Sequence, residues 1–291
     1  MNEIGIKSSQ ISLKELGLEH VEMAYWNLHP SELVEDCIHR GDGFLTDTGA
    51  LAVDTGEFTG RSPKDKFVVF DANTEKTVWW GDVNNRFEAA HFELLHQRML
   101  AYFASKEVWI RDAYACADPK FRINIRVVNE YPWSNLFAHN LFLRPSTEEI
   151  KNFKHDWLIL NAPGFKANPV IDGTRQHNFA IINFTKKLIL IGGTAYTGEI
   201  KKSIFAVLNY ILPHEHKVLS MHCSANIGST GDTAIFFGLS GTVFAIAPEP
   251  LTATPSILWP PDHKMVPVRI NAPGARILSV SSNEPQAGVG N

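Results

Sequence analysis

The sequence predicts an α/β chain (mixed α+β) followed by a tail of a different kind, and three observations carry that reading. Short apolar runs alternate with stretches whose apolar residues recur every three or four positions. Hydrophobic residues make up 44% and charged residues 20% of the 291 residues, the profile of a soluble globular protein. Eight of the 16 prolines fall in the last 49 residues, so the composition changes after Thr242. A net charge of −4 supplies no basic footprint for nucleic acid or an anionic membrane. The start, MNEIGIKSSQISLKEL, lacks the basic opening and continuous apolar run of a signal peptide. The most apolar run, LILIGG, is too short to span a bilayer. The odd, widely spaced Cys37, Cys116 and Cys223 argue against a disulfide framework, and the cytoplasm is the expected compartment.

Taken in order, residues 31–40 read as a short helix that begins near Ser31 and is closed by Gly41. Residues 84–104 read as a longer helix with Phe92, Leu95, Met99 and Tyr102 on one face. EVWIRD, FRINIRVV and KLILI read as strands. A helix from about Thr197 carries Ile200, Ile204, Val207 and Ile211 as its apolar stripe. KVLSMHCSAN, 217–226, reads as a strand with Leu219, Met221, Cys223 and Ala225 on one face. Ser220, His222 and Ser224 take the other. AIFFGLSGT opens as a buried strand and runs into a glycine-rich turn. Beyond it PEP, WPPD and NEPQAGVGN block helices and exclude central strands. The expected division is therefore a body over 1–242 and a tail over 243–291 that is extended or disordered, or at most a short edge hairpin.

Four stretches could carry chemistry. TGEFTGRSPKDKF, 55–67, crowds Arg61, Lys64 and Lys66 into a loop with two glycines. An arginine in such a loop is a two-pronged clamp for carboxylate or phosphate. The competing and favoured reading is a solvated turn in which Asp65 neutralises its neighbours. In IGGTAYTGEIKKSIF a strand ends at Gly192-Gly193, and the positive end of the following helix lies beside Tyr196. Lys201 and Lys202 in the first turns oppose that dipole, so either one of them has work to do or both simply point into water. His222 suits a metal ligand or a general base, although a lone histidine is more often neither. His214 and His216 lack a zinc-ligand spacing, which discounts zinc. Gly238-Leu239-Ser240-Gly241-Thr242 match the start of a phosphate loop, but Val243, Phe244 and Ala245 stand where Gly-Lys-Thr should follow.

Together FTGRSPKDKF, GGTAYTGEIKK, MHCSANIG and GDTAIFFGLSGT resemble, in this order, the ATP-dependent phosphoenolpyruvate carboxykinase family. RVVNEYPWSNLFAHNLFLRP fits the N-terminal domain of that family, and the resemblance covers residues 10–242. It implies a lyase of gluconeogenesis that converts oxaloacetate and ATP to phosphoenolpyruvate, ADP and CO2. By position, Arg61 matches the arginine that grips the oxaloacetate carboxylate, and Tyr196 the tyrosine beside the substrate. Lys202 and His222 match the ligands of Mn2+, and Lys202 also touches substrate. Lys202, His222 and Gly238, Leu239, Ser240, Gly241 and Thr242 match the ATP site, where Mg2+ accompanies the nucleotide. Oxaloacetate and ATP are then the expected partners, with no nucleic acid and no membrane; the oligomeric state is left open by the sequence, a monomer being the default.

The departures are the loop's second glycine, its lysine and its threonine, and everything the family carries downstream, including the aspartate that completes the Mn2+ shell. The tail segments LWPPDHKMVPV and ILSVSSNEP instead resemble strands of repeated β-sandwich modules in secreted bacterial proteins. The sequence therefore implies an incomplete or chimeric, inactive carboxykinase that binds Mn2+ weakly. The alternatives are a non-catalytic fragment that binds small anions such as oxaloacetate or phosphoenolpyruvate, and an interaction protein that works through its tail.

Overall fold

The structure, a computed structural model, describes residues 2–81 and 83–236, with the short strands at 253–254 and 269–270. It divides into two compact units, Met1–Ser220 and Met221–Asn291. In the first, the strands are β1 (Asn2–Gly5), β2 (Met23–Trp26), β3 (Gly43–Leu45), β4 (Leu51–Val53), β5 (Lys66–Phe70) and β6 (Asn85–Glu88). They continue with β7 (Glu107–Ala115), β8 (Ile123–Asn129), β9 (Trp157–Ala162), β10 (Phe179–Asn183) and β11 (Leu188–Gly192). The helices are α1 (Pro30–His39), α2 (Ala89–Phe103), α3 (Pro132–Leu141), α4 (Thr147–Lys151), α5 (Pro169–Asp172) and α6 (Gly198–Glu215).

Nine of these strands form one sheet in the order β1-β2-β7-β8-β9-β11-β10-β5-β6, while β3 and β4 make a separate hairpin. Only the β7–β8 and β10–β11 neighbours run antiparallel. A largely parallel sheet needs cover on both faces, and its strands read as continuous apolar runs. That is why KLILI and FAIIN show no polar alternation: every residue of β10 and β11 is buried. Ile181, Leu188 and Leu190 enter one core, with Phe92, Leu95, Met99 and Phe103 of α2. Ala180, Ile182, Ile189 and Ile191 enter the other, with Ile200, Ile204, Val207 and Ile211 of α6. Each such burial contributes about 1.5–3 kcal/mol. The apolar stripe read from the sequence thus seats α6 and aims its first turn.

Three elements differ from the sequence reading. The stretch 84–104 is not one helix: Asn85–Glu88 is a strand paired in parallel with Phe67–Phe70, and the helix starts at Ala89. Phe87 is buried between exposed neighbours, a strand alternation too short to show against the helical period that follows. In the second unit, the strand expected over 217–226 narrows to β12 (Ser224–Ile227), which pairs antiparallel with β13 (Thr233–Phe236). Only those residues find a ladder partner, and both strands are exposed along their length, so the buried strand expected at Ala234–Phe236 is not buried. A two-stranded hairpin has no second layer of its own to bury a face. Of the tail, β14 (Ala253–Thr254) and β15 (Arg269–Ile270) are described as an antiparallel pair.

Charge is also buried at the centre of the large sheet. Asp112 of β7 stands opposite Arg126 of β8 in the ladder, their side chains meet at 2.6 Å, and both are fully buried. Asn27, at φ 52, supports the carboxylate by donating to Asp112 Oδ2 at 3.0 Å. Removing one partner of such a pair strands the other charge, so Arg126→Met is expected to cost about 3–5 kcal/mol. Lys151→Met, which removes an exposed partner of Glu148, is expected to cost under about 1 kcal/mol. Urea unfolding of both variants beside the parent measures the difference.

Candidate functional site

The loop that precedes β5 is shaped by short-range polar contacts. Asp54 accepts from the Gly56 amide at 2.8 Å, which closes a turn before Arg61. Pro63–Asp65 form a single 3₁₀ turn that leads into β5. Asp65 is 2% exposed and takes a two-pronged bond from Arg175, at 2.8 and 2.7 Å. Asp65 therefore does not neutralise Arg61, Lys64 and Lys66; it ties the loop to the segment before β10, and the loop's own cations look elsewhere.

They look to α6. At the end of β11, Gly193 adopts φ +66 and packs on the His177 carbonyl, so closely that a Cβ would overlap it. The Tyr196 ring lies against Gly198, where a Cβ would likewise collide with the ring. Glycine at 198 is thus what lets the tyrosine sit on the first turn of the helix. Thr197 occupies the N-cap position without a side-chain bond, and the Glu199 amide bonds the Tyr196 carbonyl at 3.1 Å. Glu199, which is buried, brings the acidic charge that a helix N-terminus favours.

Loop and helix are joined at two points. The Ser62 amide donates to Glu199 Oε1 at 3.3 Å, and Lys66 Nζ donates to the Lys202 carbonyl at 2.8 Å. Burial pushes the Lys66 ammonium down to about 8, against the pull of Glu199 and with the help of the Lys202 charge. The Lys202 ammonium is also lowered, first by burial, then by Arg61 and Lys201, with Glu199 opposing. Arg61 therefore lies within electrostatic reach of Lys202, whose Nζ sits 5.6 Å from the Phe205 ring centre. Lys201 is exposed and Lys202 half-buried, so the two lysines do not both simply point into water. A cavity of about 340 Å³ borders the same loop, lined by Gly56, Phe58, Lys166, Gly193 and Ala195 among others.

The structure thus brings together Arg61, Tyr196 and Lys202, all carried by one loop and one helix N-terminus. His222 lies in the second unit and is exposed. Gly238, Leu239, Ser240, Gly241 and Thr242 lie outside the described residues. The sequence reading passed over the roles of Lys66 and Glu199. The signal for Glu199 was an acid at the second position of a helix whose next charges are both basic. A lysine with a lowered pKa suits a metal donor, since only the neutral amine ligates. Among the described residues no group of three or more His, Cys, Asp or Glu gathers as a metal centre.

The sequence pattern of the family described as phosphoenolpyruvate carboxykinase matches residues 22–243. The chain belongs to that family. A phosphoenolpyruvate carboxykinase (ATP) of Christiangramia forsetii is 61% identical over 232 residues, covering 80% of this chain and 43% of that protein. Its counterpart in Flavobacterium johnsoniae is 55% identical over 81% of this chain and 44% of its own length. That of Amoebophilus asiaticus is 54% identical over 79% and 44%. The chain thus spans less than half the length of these carboxykinases. The match ends one residue past the glycine-rich turn, while the tail that follows lies outside it.

The buried Lys66 has a consequence for stability. Its folded pKa of about 8 lies below the ordinary 10.5, so between those values the unfolded chain binds more protons than the folded one. Stability contributed through this group therefore rises as pH climbs through that window and is flat on either side. Lys66→Met is expected to remove that rise. Urea midpoints of parent and variant, compared at both edges of the window, test it: parallel curves would mean Lys66 titrates normally.

Proposed function

We propose that this chain carries the oxaloacetate-binding side of an ATP-dependent phosphoenolpyruvate carboxykinase, the reaction being oxaloacetate + ATP → phosphoenolpyruvate + ADP + CO2. The observation that supports this most directly is the convergence of Arg61 and Lys202 at the loop–helix junction. Arg61 offers a permanently charged planar fork, which matches a carboxylate of a dicarboxylic acid. The neighbouring Lys201, Lys202 and Lys66 add positive potential that draws a dianion toward the junction. Tyr196, seated on Gly198, supplies a wall with a hydroxyl beside that path. Lys202 gives up its proton more readily than an ordinary lysine, because burial and Arg61 disfavour its charge. Lys202 is then the side chain of this junction that would hold Mn2+, and His222, in the second unit, is a separate candidate ligand that the family pattern suggests. Such an ion would supply Lewis-acid chemistry for an oxygen that gains negative charge as CO2 leaves.

The same reading makes this particular chain catalytically silent. In P-loops a lysine and a hydroxyl meet the β/γ-phosphates and Mg2+. Here Val243, Phe244 and Ala245 follow Thr242. Each lost transition-state contact costs about 10²–10³ in rate. A coupled assay with oxaloacetate, ATP, Mn2+ and Mg2+ is expected to show no turnover above background. Turnover near that of the full-length relatives would overturn the assignment of an inactive copy.

Substrate-side binding is expected to survive. Mn2+ followed by electron paramagnetic resonance should bind weakly, and more tightly as pH rises, because Lys202 must lose a proton to ligate. Oxalate, a dicarboxylate that Arg61 is suited to clamp, should strengthen binding. His222→Ala should weaken it by about tenfold or more, the scale of losing a metal-site group. An unchanged bound fraction in His222→Ala would remove His222 from the metal site.

A further inference from the structure

A second cationic site lies elsewhere in the first unit, and the carboxykinase reading leaves it unexplained. Arg111 of β7 is 4% exposed, yet both groups to which it donates are neutral. Its Nε donates to Asn135 Oδ1 at 3.0 Å and its Nη2 to the Leu28 carbonyl at 2.6 Å. Buried guanidinium groups are ordinarily matched by a carboxylate. The two acids nearby are already committed. Asp112 is paired with Arg126 at 2.6 Å, and Glu32 accepts the His29 amide at 2.7 Å in the cap of α1.

Arg111 borders an open cleft of about 690 Å³, together with Arg144, His139 and His29 and with the committed acids Asp112 and Glu32. The exposed Arg144 donates to the His139 carbonyl at 3.0 Å, which holds it beside the histidine. His139 Nδ1 is buried and makes no hydrogen bond. The field in the cleft registers on its own groups. Burial, with Asp112 and Glu32 opposing and Arg144 adding to it, takes the Arg111 guanidinium down to about 10. Burial, then Arg111, Arg144 and His29, takes the His139 imidazole down to about 4. Trp26, Leu28 and Ile150 give the same cleft apolar walls.

We infer that this cleft binds a small free oxyanion, a carboxylate or a phosphate, between Arg111 and Arg144. It shares no lining residue with the loop–helix junction at Arg61. An oxyanion supplies the negative charge that Arg111 lacks and accepts from the two guanidinium forks, while the apolar walls shelter the bond from water.

The test follows the His139 ring by NMR, its signal assigned by its loss in His139→Asn. The intact chain is titrated at constant ionic strength with inorganic phosphate in one arm and malonate in the other, to about 50 mM, well above a Kd of about 1 mM. The expected result is a saturable shift of the His139 signal in at least one arm, with a raised His139 pKa, because a bound anion favours imidazolium. Which arm responds identifies phosphate or carboxylate as the preferred group. Arg111→Met should abolish the response and Arg144→Gln should weaken it several-fold. Arg144 is exposed, so the second variant decides the matter even where Arg111→Met fails to fold. No shift in either arm, or an equal titration in Arg144→Gln and parent, would overturn the inference.

Discussion

Two hydrogen bonds hold the loop of Arg61 against the helix of Lys202, and the candidate site exists because of them. One runs from the Ser62 amide to the Glu199 carboxylate and the other from Lys66 to the Lys202 carbonyl. Loops are ordinarily the mobile part of a fold. This one is tied at both ends of a short segment, and its Asp65 is locked by Arg175 as well. A guanidinium carried on such a segment keeps its position relative to α6, which is what positioned binding needs.

The electrostatics of the junction follow from the same contacts. Glu199 is the buried carboxylate that opposes the lowered pKa of both Lys66 and Lys202. Burial is the larger cause of the lowered Lys202 pKa, and Arg61 adds to it. Diverting Asp65 to Arg175 leaves Arg61 uncompensated by it, and Arg61 is the first charge to act on Lys202.

The cleft at Arg111 illustrates the opposite arrangement in the same unit. There the ladder pairs Asp112 with Arg126 and spends the carboxylate within the sheet, so the adjacent arginine is left with carbonyl and amide oxygens. Both places show a cation whose sequence neighbour is an acid, Arg111-Asp112 and Asp65-Lys66, and in both the acid pairs with a partner far along the chain. Adjacency in sequence is a poor guide to ion pairing because long-range packing chooses the partner.

Much of the fold was legible in the residues. The stripe of Ile200, Ile204, Val207 and Ile211 has helical spacing whatever surrounds it, and the apolar runs of β7, β8 and β11 leave little besides buried strands. The ordered motifs around Arg61, Tyr196 and Lys202 likewise point to one family by themselves. What tertiary structure decided is of another kind. It made Asn85–Glu88 a strand, since only the open edge of β5 supplies its hydrogen bonds, and it confined the strand around His222 to the four residues that find a partner. It also chose Arg175 for Asp65 and Glu199 for the loop. Periodicity and motif are properties of neighbouring residues and survive in one dimension; pairing and burial depend on which distant groups the packing brings within a few ångströms.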